Sequence, residues 1–564
     1  MQVLIMQKSQ INVIDDMQLA NEYLGNKIIG DNLIRKIVLL SAFSAMTENI
    51  KSTMVYIRGR VSAGKSHVAN ETLSICPKSS SQVVANMSQK ALFNLPGYER
   101  FFSSEINDYR RIFKNQLDRN NADKYYKNCN CNARTQITCQ HEPIFLSVSE
   151  LSDIDSEIEK VIDLSGIHFL FTDAADYDVL MMLKPILSSD SAELYSIVTE
   201  TNGSQRLTRK TVIVGSPSFI FCSANAYDKD MSEIISRCVN VSVTESKDKI
   251  EKVIDLISSE LIVTKKDKVL EREVKSRVAD VFSLAKNNIE VKSPLGLYLR
   301  ERLPSSQVTD MRAMKDYANM LKLHALFNMK TRPVIQIKFN RNLEKQDLHY
   351  LFTNKKDYQF LQEMVKEFSE LQRTGLPQSA HTLWSRVLLK PKSKLFTSEK
   401  ENDKPQIKLT DNFEKTPPSL EDETQNLDWW TMPEITKAYN HIVQESDNPK
   451  NQRAIQMFEI KHLKKQGFIE WRKQEDDGRA LEYKAVADSK DLTEIDKDFA
   501  KVTKDDVEKT INLLETREMG LGINEPIDKQ SIRSIKFLSG IRGEAISYDE
   551  FLHALTNGDD LLIE

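Results

Sequence analysis

Gly59-Arg60-Val61-Ser62-Ala63-Gly64-Lys65-Ser66 decides how this chain is read. It is a G-x-x-x-x-G-K-[ST] string between a short apolar run, Met54-Val55-Tyr56-Ile57, and a predicted helix that opens at Lys65. Glycine-bounded loops let successive backbone N–H groups point inward around a phosphate at a helix N-terminus. Lys65 then supplies a point charge to the β- and γ-phosphates, and the Ser66 hydroxyl is placed to ligate Mg2+. Gly59, Ala63, Gly64, Lys65, Ser66 and His67 form the expected nucleotide-binding set, with ATP and Mg2+ as cofactors. The plainer alternative is a glycine turn that binds nothing.

A P-loop needs a further carboxylate at the end of a neighbouring strand to hold the metal's water shell. Ile167-His168-Phe169-Leu170-Phe171 reads as that strand and Asp173 as that carboxylate. Ala174 stands where a water-activating Glu is expected. Either Asp176 does that work from the next turn, or hydrolysis is slow or lost; as the alternative, Asp176 is a solvated helix N-cap.

The chain is 564 residues long, which at roughly 100–200 residues per domain means several folded units. Against 78 Lys and Arg stand 82 Asp and Glu, a net charge of −4, so a globally basic nucleic-acid binder is excluded and any polyanion must be met by local patches. The 17 Gly and 16 Pro are few for this length, which favours helix-rich architecture. Six Cys make no disulfide framework, so a reducing, cytoplasmic setting is expected. No leader pattern opens the chain and no apolar run approaches the roughly 18 residues of a membrane span.

Strand-like runs at 54–57, 167–171 and 219–222 alternate with helical patterns, which predicts an α/β fold with a mainly parallel sheet. Residues 1–50 read as helices leading into this core, 51–245 as the core itself with an insertion at 100–160, and 246–335 as an almost wholly helical lid. A helix-turn-helix is expected over 336–392, around Thr374–Ser379 and Leu383, Trp384, Val387 and Leu388. Residues 393–428, rich in Lys, Glu, Asp, Ser and Pro, read as a linker. Residues 429–488 predict two helices followed by a two-stranded ribbon turning at Asp476-Asp477-Gly478-Arg479, a winged helix. Residues 489–564 read as a helical tail.

The order of motifs, from Ile29-Gly30-Asp31 through the P-loop and Asp173 to Phe219–Asn225, Ile234–Cys238 and Thr309–Arg312, resembles AAA+ helicases over about residues 20–330. It is most similar to minichromosome maintenance helicases and to primase-associated helicases of phage and integrated elements. The resemblance implies that Asn225 is a polar sensor for the attacking water. It makes Arg237 an arginine finger acting in trans and Arg312 a second sensor; the alternative is ordinary surface charge. It therefore implies a ring or filament of subunits, with a homo-oligomeric ring, a hexamer, as the expected form. It also places a hairpin at 201–210 in a central channel, where Arg206, Arg209 and Lys210 would contact DNA phosphates. A solvated hairpin is the alternative.

Cys129-x-Cys131 and Cys139-x-His141 offer four ligands suited to tetrahedral Zn2+. With all four used the metal would be structural; free thiols in a polar insertion are the alternative. Lys464 and Lys465 on the second helix of the winged module are expected DNA contacts, while its acidic wing, Glu475-Asp476-Asp477, suits a protein partner. The chain reads as an ATP-driven DNA helicase, with a separate primase or loader as a further partner. The competing expectation is an initiator-like ATPase that switches DNA affinity with little hydrolysis, which Ala174 favours.

Overall fold

The computed structural model describes residues 15–47, 49–59, 62–84, 92–93, 95–103, 108–113, 144–145, 159–172, 181, 193–202, 205–223, 237–244, 246–262, 268–285, 289–293, 308–339, 348–374, 378–389, 392, 396–401, 404–409, 428–442, 450–465, 469–473, 481–485 and 532–557. Two helices come first, α1 (Asp16–Gly25) and α2 (Asn32–Ser44). Asp15 caps α1 by accepting from the Gln18 amide at 2.6 Å. On α2, Ile34, Ile37, Val38, Leu39, Leu40 and Phe43 are all buried, the signature of a helix sunk in a core rather than lying on one.

The chain then runs through β1 (Val55–Arg58), α3 (Lys65–Leu73) and β2 (Ser81–Val84). Next come β3 (Tyr98–Ser103), β4 (Asp108–Phe113), β5 (Ile144–Phe145) and β6 (Glu159–Asp163). They are followed by β7 (His168–Phe171), β8 (Glu193–Asn202), β9 (Gln205–Val214), β10 (Ser218–Ser223) and β11 (Val239–Ser242). Five of these strands form one parallel sheet in the order β11-β1-β10-β7-β2. Numbered along the chain within that sheet alone, the order is 5-1-4-3-2.

Both faces of the sheet are covered, so its strands are apolar at nearly every position. Val55, Ile57, Leu170, Ile220, Cys222, Val239 and Val241 join the core that contains α2. Tyr56, Phe169, Phe171, Phe219 and Phe221 fill the other side. There the Phe219 and Phe221 rings stack 6.0 Å apart at 3°, and Phe169 stacks on Phe219 at 5.3 Å. Each such pair contributes about 0.5–1.5 kcal/mol beyond its buried area.

The strands outside this sheet are not confined to the expected insertion at 100–160 but come from both sides of β7. The remaining strands of this region build a second, six-stranded sheet, β5-β4-β3-β6-β9-β8, that extends to Val214. Gly215 carries the chain back to the parallel sheet at φ +95°, where an added Cβ would lie 2.4 Å from the Ser165 amide nitrogen. Only glycine fits that crossing.

Beyond β11 lie α4 (Lys247–Ile262), α5 (Lys268–Leu284), β12 (Ile289–Lys292), α6 (Val308–Phe327), β13 (Val334–Phe339), β14 (Leu348–Phe352) and α7 (Lys355–Thr374). The interval expected to be a helical lid thus contains a strand, because β12 finds a parallel partner in β14 nearly sixty residues on. The boundary expected at residue 336 cuts through β13, which pairs with β14 and with β20 (Ile532–Leu538). The tail expected to be helical therefore supplies an edge strand before its one described helix, α12 (Tyr548–Asn557). Phe551 of α12 meets Phe352 edge-on at 5.5 Å.

The residues expected to form a separate helix-turn-helix, α8 (Gln378–Leu383) and the π turn Trp384–Leu388, share a core with residues 430–485. Within the expected linker, Phe396–Glu401 and Lys404–Leu409 pair as the antiparallel hairpin β15–β16. Charge content alone concealed it, because ladder bonds are made by backbone whatever the side chains are. The module continues with β17 (Trp430–Thr431), α9 (Met432–Ile442), then α10 (Gln452–Ile455), a π turn over Gln456–Ile460 and α11 (Lys461–Lys465). It ends with β18 (Ile469–Lys473) and β19 (Leu481–Ala485) in a three-stranded sheet ordered β17-β19-β18. No helix among the described residues is long and apolar enough to cross a membrane.

Candidate nucleotide-binding site

β1 ends at Arg58 and the chain turns away through Gly59, with φ 152°, into the loop. Ser62 has φ 65°, a left-handed conformation uncommon for a residue with a Cβ, and Gly64 has φ 88°. Left-handed residues alternating with right-handed ones turn consecutive N–H groups to one side, which makes an anion-binding concavity. A Cβ added at Gly64 would meet no heavy atom within 4 Å, so space lies open beside the loop. Lys65 is buried and its Nζ donates to the Gly59 carbonyl at 2.9 Å, which lays the ammonium across the loop. Ser66 follows in the first turn of α3. These residues fit a phosphate chain with its Mg2+: open space, N–H groups at a helix N-terminus, one cation and one hydroxyl.

Parallel register fixes what stands beside the loop. Arg58 is level with Ser223 of β10, and Phe221 with Phe171 of β7. β10 lies between β1 and β7, so the segments leaving β7 and β10 emerge at the edge of the sheet where the P-loop lies. Asp173 and Asn225 are each two residues past the last residue of their strands. Asp173, Ala174, Asp176 and Asn225 themselves lie outside the described residues, as do Arg60 and Val61.

The structure also brings the α1–α2 connection to the loop helix. His67 Nε2 donates to the Lys27 carbonyl at 3.3 Å, and Lys27 Nζ pairs with Glu71 of α3 at 3.1 Å. Burial alone would lower the pKa of the Lys27 ammonium; bonds to Tyr23 and Glu71 outweigh it and leave the pKa raised. Just beyond, Gly30 and Asp31 both have positive φ, 71° and 51°. The buried Asp31 carboxylate accepts from the Thr244 amide at 2.9 Å and pairs with Lys249 at the start of α4. Ile29-Gly30-Asp31 thus fastens the helices after β11 to the helices before the P-loop, a role invisible in the sequence because its partners are over 200 residues away.

Arg237 precedes β11 at the end of the sheet opposite the P-loop. Val239 is level with Val55, so Gly59 lies about 13 Å beyond Val239 along the strand direction at about 3.3 Å per residue, and Arg237 precedes Val239 in the chain. Arg312 lies on α6; its side chain is outside the described set.

The expected hairpin is present as β8–β9, joined across Asn202 and Gln205, with Arg206 opposite Thr201 and Arg209 opposite Val198. β6 pairs with β9 only from Lys210 to Val214, so the outer half of the ribbon extends past β6 by roughly 17 Å. Arg206 and Arg209 belong to that outer half; their side chains are outside the described set. Lys210 sits at its base, ion-paired with Glu159, which also accepts from Arg100 Nε at 3.0 Å. That pairing, made at the junction of three strands, favours a structural role for Lys210.

Cys129, Cys131, Cys139 and His141 lie outside the described residues. On the C-terminal module Lys464 is exposed with its Nζ 3.4 Å from the centre of the Trp471 ring, and Lys465 ends α11. Trp471 was not singled out by the sequence, although an aromatic at an exposed strand position was a readable signal. No protein-family model matches the chain, and no curated protein matches it in sequence.

Proposed function

We propose that the chain is an ATP-driven DNA motor of the AAA+ class, a helicase or translocase working as a homo-oligomeric ring in DNA replication. The observation that carries this reading is the P-loop at the end of β1 with the Asp173 and Asn225 segments leaving adjacent strands at the same edge. In it, the loop N–H groups and Lys65 hold the β- and γ-phosphates, and Ser66 and Asp173 hold Mg2+. The metal supplies charge neutralisation of the transferring phosphoryl group. Asn225 orients the attacking water, and Asp176 is the candidate base in place of the Glu that Ala174 replaces.

The position of Arg237 supports action in trans: it lies before β11, at the end of the strands opposite its own P-loop, so its guanidinium would serve the site of a neighbouring copy. Arg312 would complete a site from the helical side. The overhanging β8–β9 ribbon supports a DNA-contacting hairpin, with Arg206 and Arg209 as its phosphate contacts. In the C-terminal module, apart from the intervening β15–β16 hairpin, a helix, a short strand, two helices and a two-stranded ribbon follow in order, which supports the winged-helix reading. Ala174 favours a second reading, an initiator-like ATPase that binds DNA under ATP control and turns over little.

ATP hydrolysis measured with and without single-stranded DNA separates the two. The motor reading expects stimulation by DNA, and its loss in the Arg206→Ala, Arg209→Ala double variant with nucleotide binding intact. ATP binding without stimulated turnover rejects the motor and leaves the initiator.

A further inference from the structure

Three cations of the C-terminal module are neutralised by carboxylates. Lys392 pairs with Glu434 at 2.6 Å, Arg472 with Glu482 at 2.9 Å, and Lys450 with the buried Glu459. Arg453, Lys461 and Lys464 are different: all are exposed on the helical stretch Gln452–Lys465, and no carboxylate pairs with any of them among the described residues. Met457, 62% exposed, lies among them. At the end of this stretch Lys464 packs on Trp471, which is still 48% exposed on the edge strand β18. An indole left half in water beside unpaired cations is a costly surface to leave bare, and it matches one chemistry: a polyanion carrying flat, stackable groups.

We propose that this face binds single-stranded nucleic acid, a base stacking on Trp471 and the backbone phosphates running along Lys464, Lys461 and Arg453. Two features favour a single strand over a duplex. Bases within a duplex are already stacked and offer no free face to an indole. The β18–β19 connection contains Glu475-Asp476-Asp477, which opposes the second phosphate backbone that a duplex would bring to the wing. Glu470, exposed beside Trp471, stands opposite Lys484 in the β18–β19 ladder, where a nearby cation offsets its charge. The inference does not rest on the ATPase reading.

The test is fluorescence anisotropy of the full chain, without ATP, on labelled oligothymidylate of about 20 nucleotides and on a blunt duplex of equal length. Trp471→Ala should weaken oligothymidylate binding about 5- to 150-fold, while Trp471→Phe stays near wild type and duplex binding is unchanged. Lys461→Ala with Lys464→Ala, both at solvent-exposed positions, should flatten the slope of log affinity against log salt by about 1.4. Oligothymidylate affinity unchanged in Trp471→Ala, an equal loss on the duplex, or an unchanged salt slope overturns the proposal. Because no ATP is present, the assay passes or fails regardless of whether the chain hydrolyses nucleotide.

Discussion

Lys65 Nζ donates to the carbonyl of Gly59 at 2.9 Å, so the cation of the loop is held by the loop's own first residue. A phosphate competes for that ammonium with a charge-assisted bond stronger than the one to a neutral carbonyl. At ATP concentrations a hundredfold above its Kd, binding should stabilise the fold by about 2.7 kcal/mol, read as a rise in thermal midpoint. Lys65→Ala should abolish that rise and leave the midpoint without ATP within a few degrees. A full nucleotide-induced shift in Lys65→Ala would remove Lys65 from the phosphate site.

Two glycines with positive φ should respond differently to alanine. At Gly64 the added methyl meets nothing, so only backbone strain of about 1–2 kcal/mol remains. At Gly215 the methyl would also collide with Ser165 backbone. Urea unfolding should therefore show Gly215→Ala as the more destabilised protein, while Gly64→Ala loses nucleotide affinity and Gly215→Ala keeps it where folded.

The parallel core was largely legible. Met54–Ile57 and Phe219–Cys222 are continuous apolar runs, and Ile167–Phe171 is one but for the buried His168, because both faces of their sheet are covered, and each is a strand within a residue or so of the expected ends. The partnership of β13 with β20, the lodging of Asp31 against Lys249, and the shared core of Trp384 with Trp430 were not legible. Each joins segments far apart in the chain, and local periodicity reports which face is buried but not against what. In the site, the loop and its helix could be read from one string, whereas the distance of Arg237 from its own loop follows only from strand register.

Asp357 is buried and accepts from Arg332 Nε at 3.0 Å, His324 Nδ1 at 2.7 Å and the Asn354 amide at 2.8 Å. Burial pushes its pKa up, but the Arg332 guanidinium and His324 outweigh it and leave it below the ordinary value. A carboxylate whose folded pKa is depressed contributes stability above its unfolded pKa, about 3.9, and loses it as pH falls through the folded value. Stability should thus decline on acidification below about pH 4, and Asp357→Asn should flatten that part of the profile. Arg332→Met, leaving a buried carboxylate without its main partner, should cost about 3–5 kcal/mol at neutral pH in urea unfolding. A loss under about 1 kcal/mol would show that the pair is dispensable.

Arg237→Ala should bind ATP normally and lose turnover by a factor on the order of 10^3. Mixed with Lys65→Ala, which retains its own Arg237, it should recover part of the activity, because intact loops then meet intact arginines at some interfaces. Absence of recovery at every mixing ratio, with both variants shown to co-assemble, would contradict action in trans.

Displacement of a labelled strand from a forked DNA duplex tests the motor reading most directly. A motor driven from this P-loop gives ATP-dependent displacement by the wild-type chain and none by Lys65→Ala. A wild-type chain that binds ATP and the fork but releases no strand would contradict it.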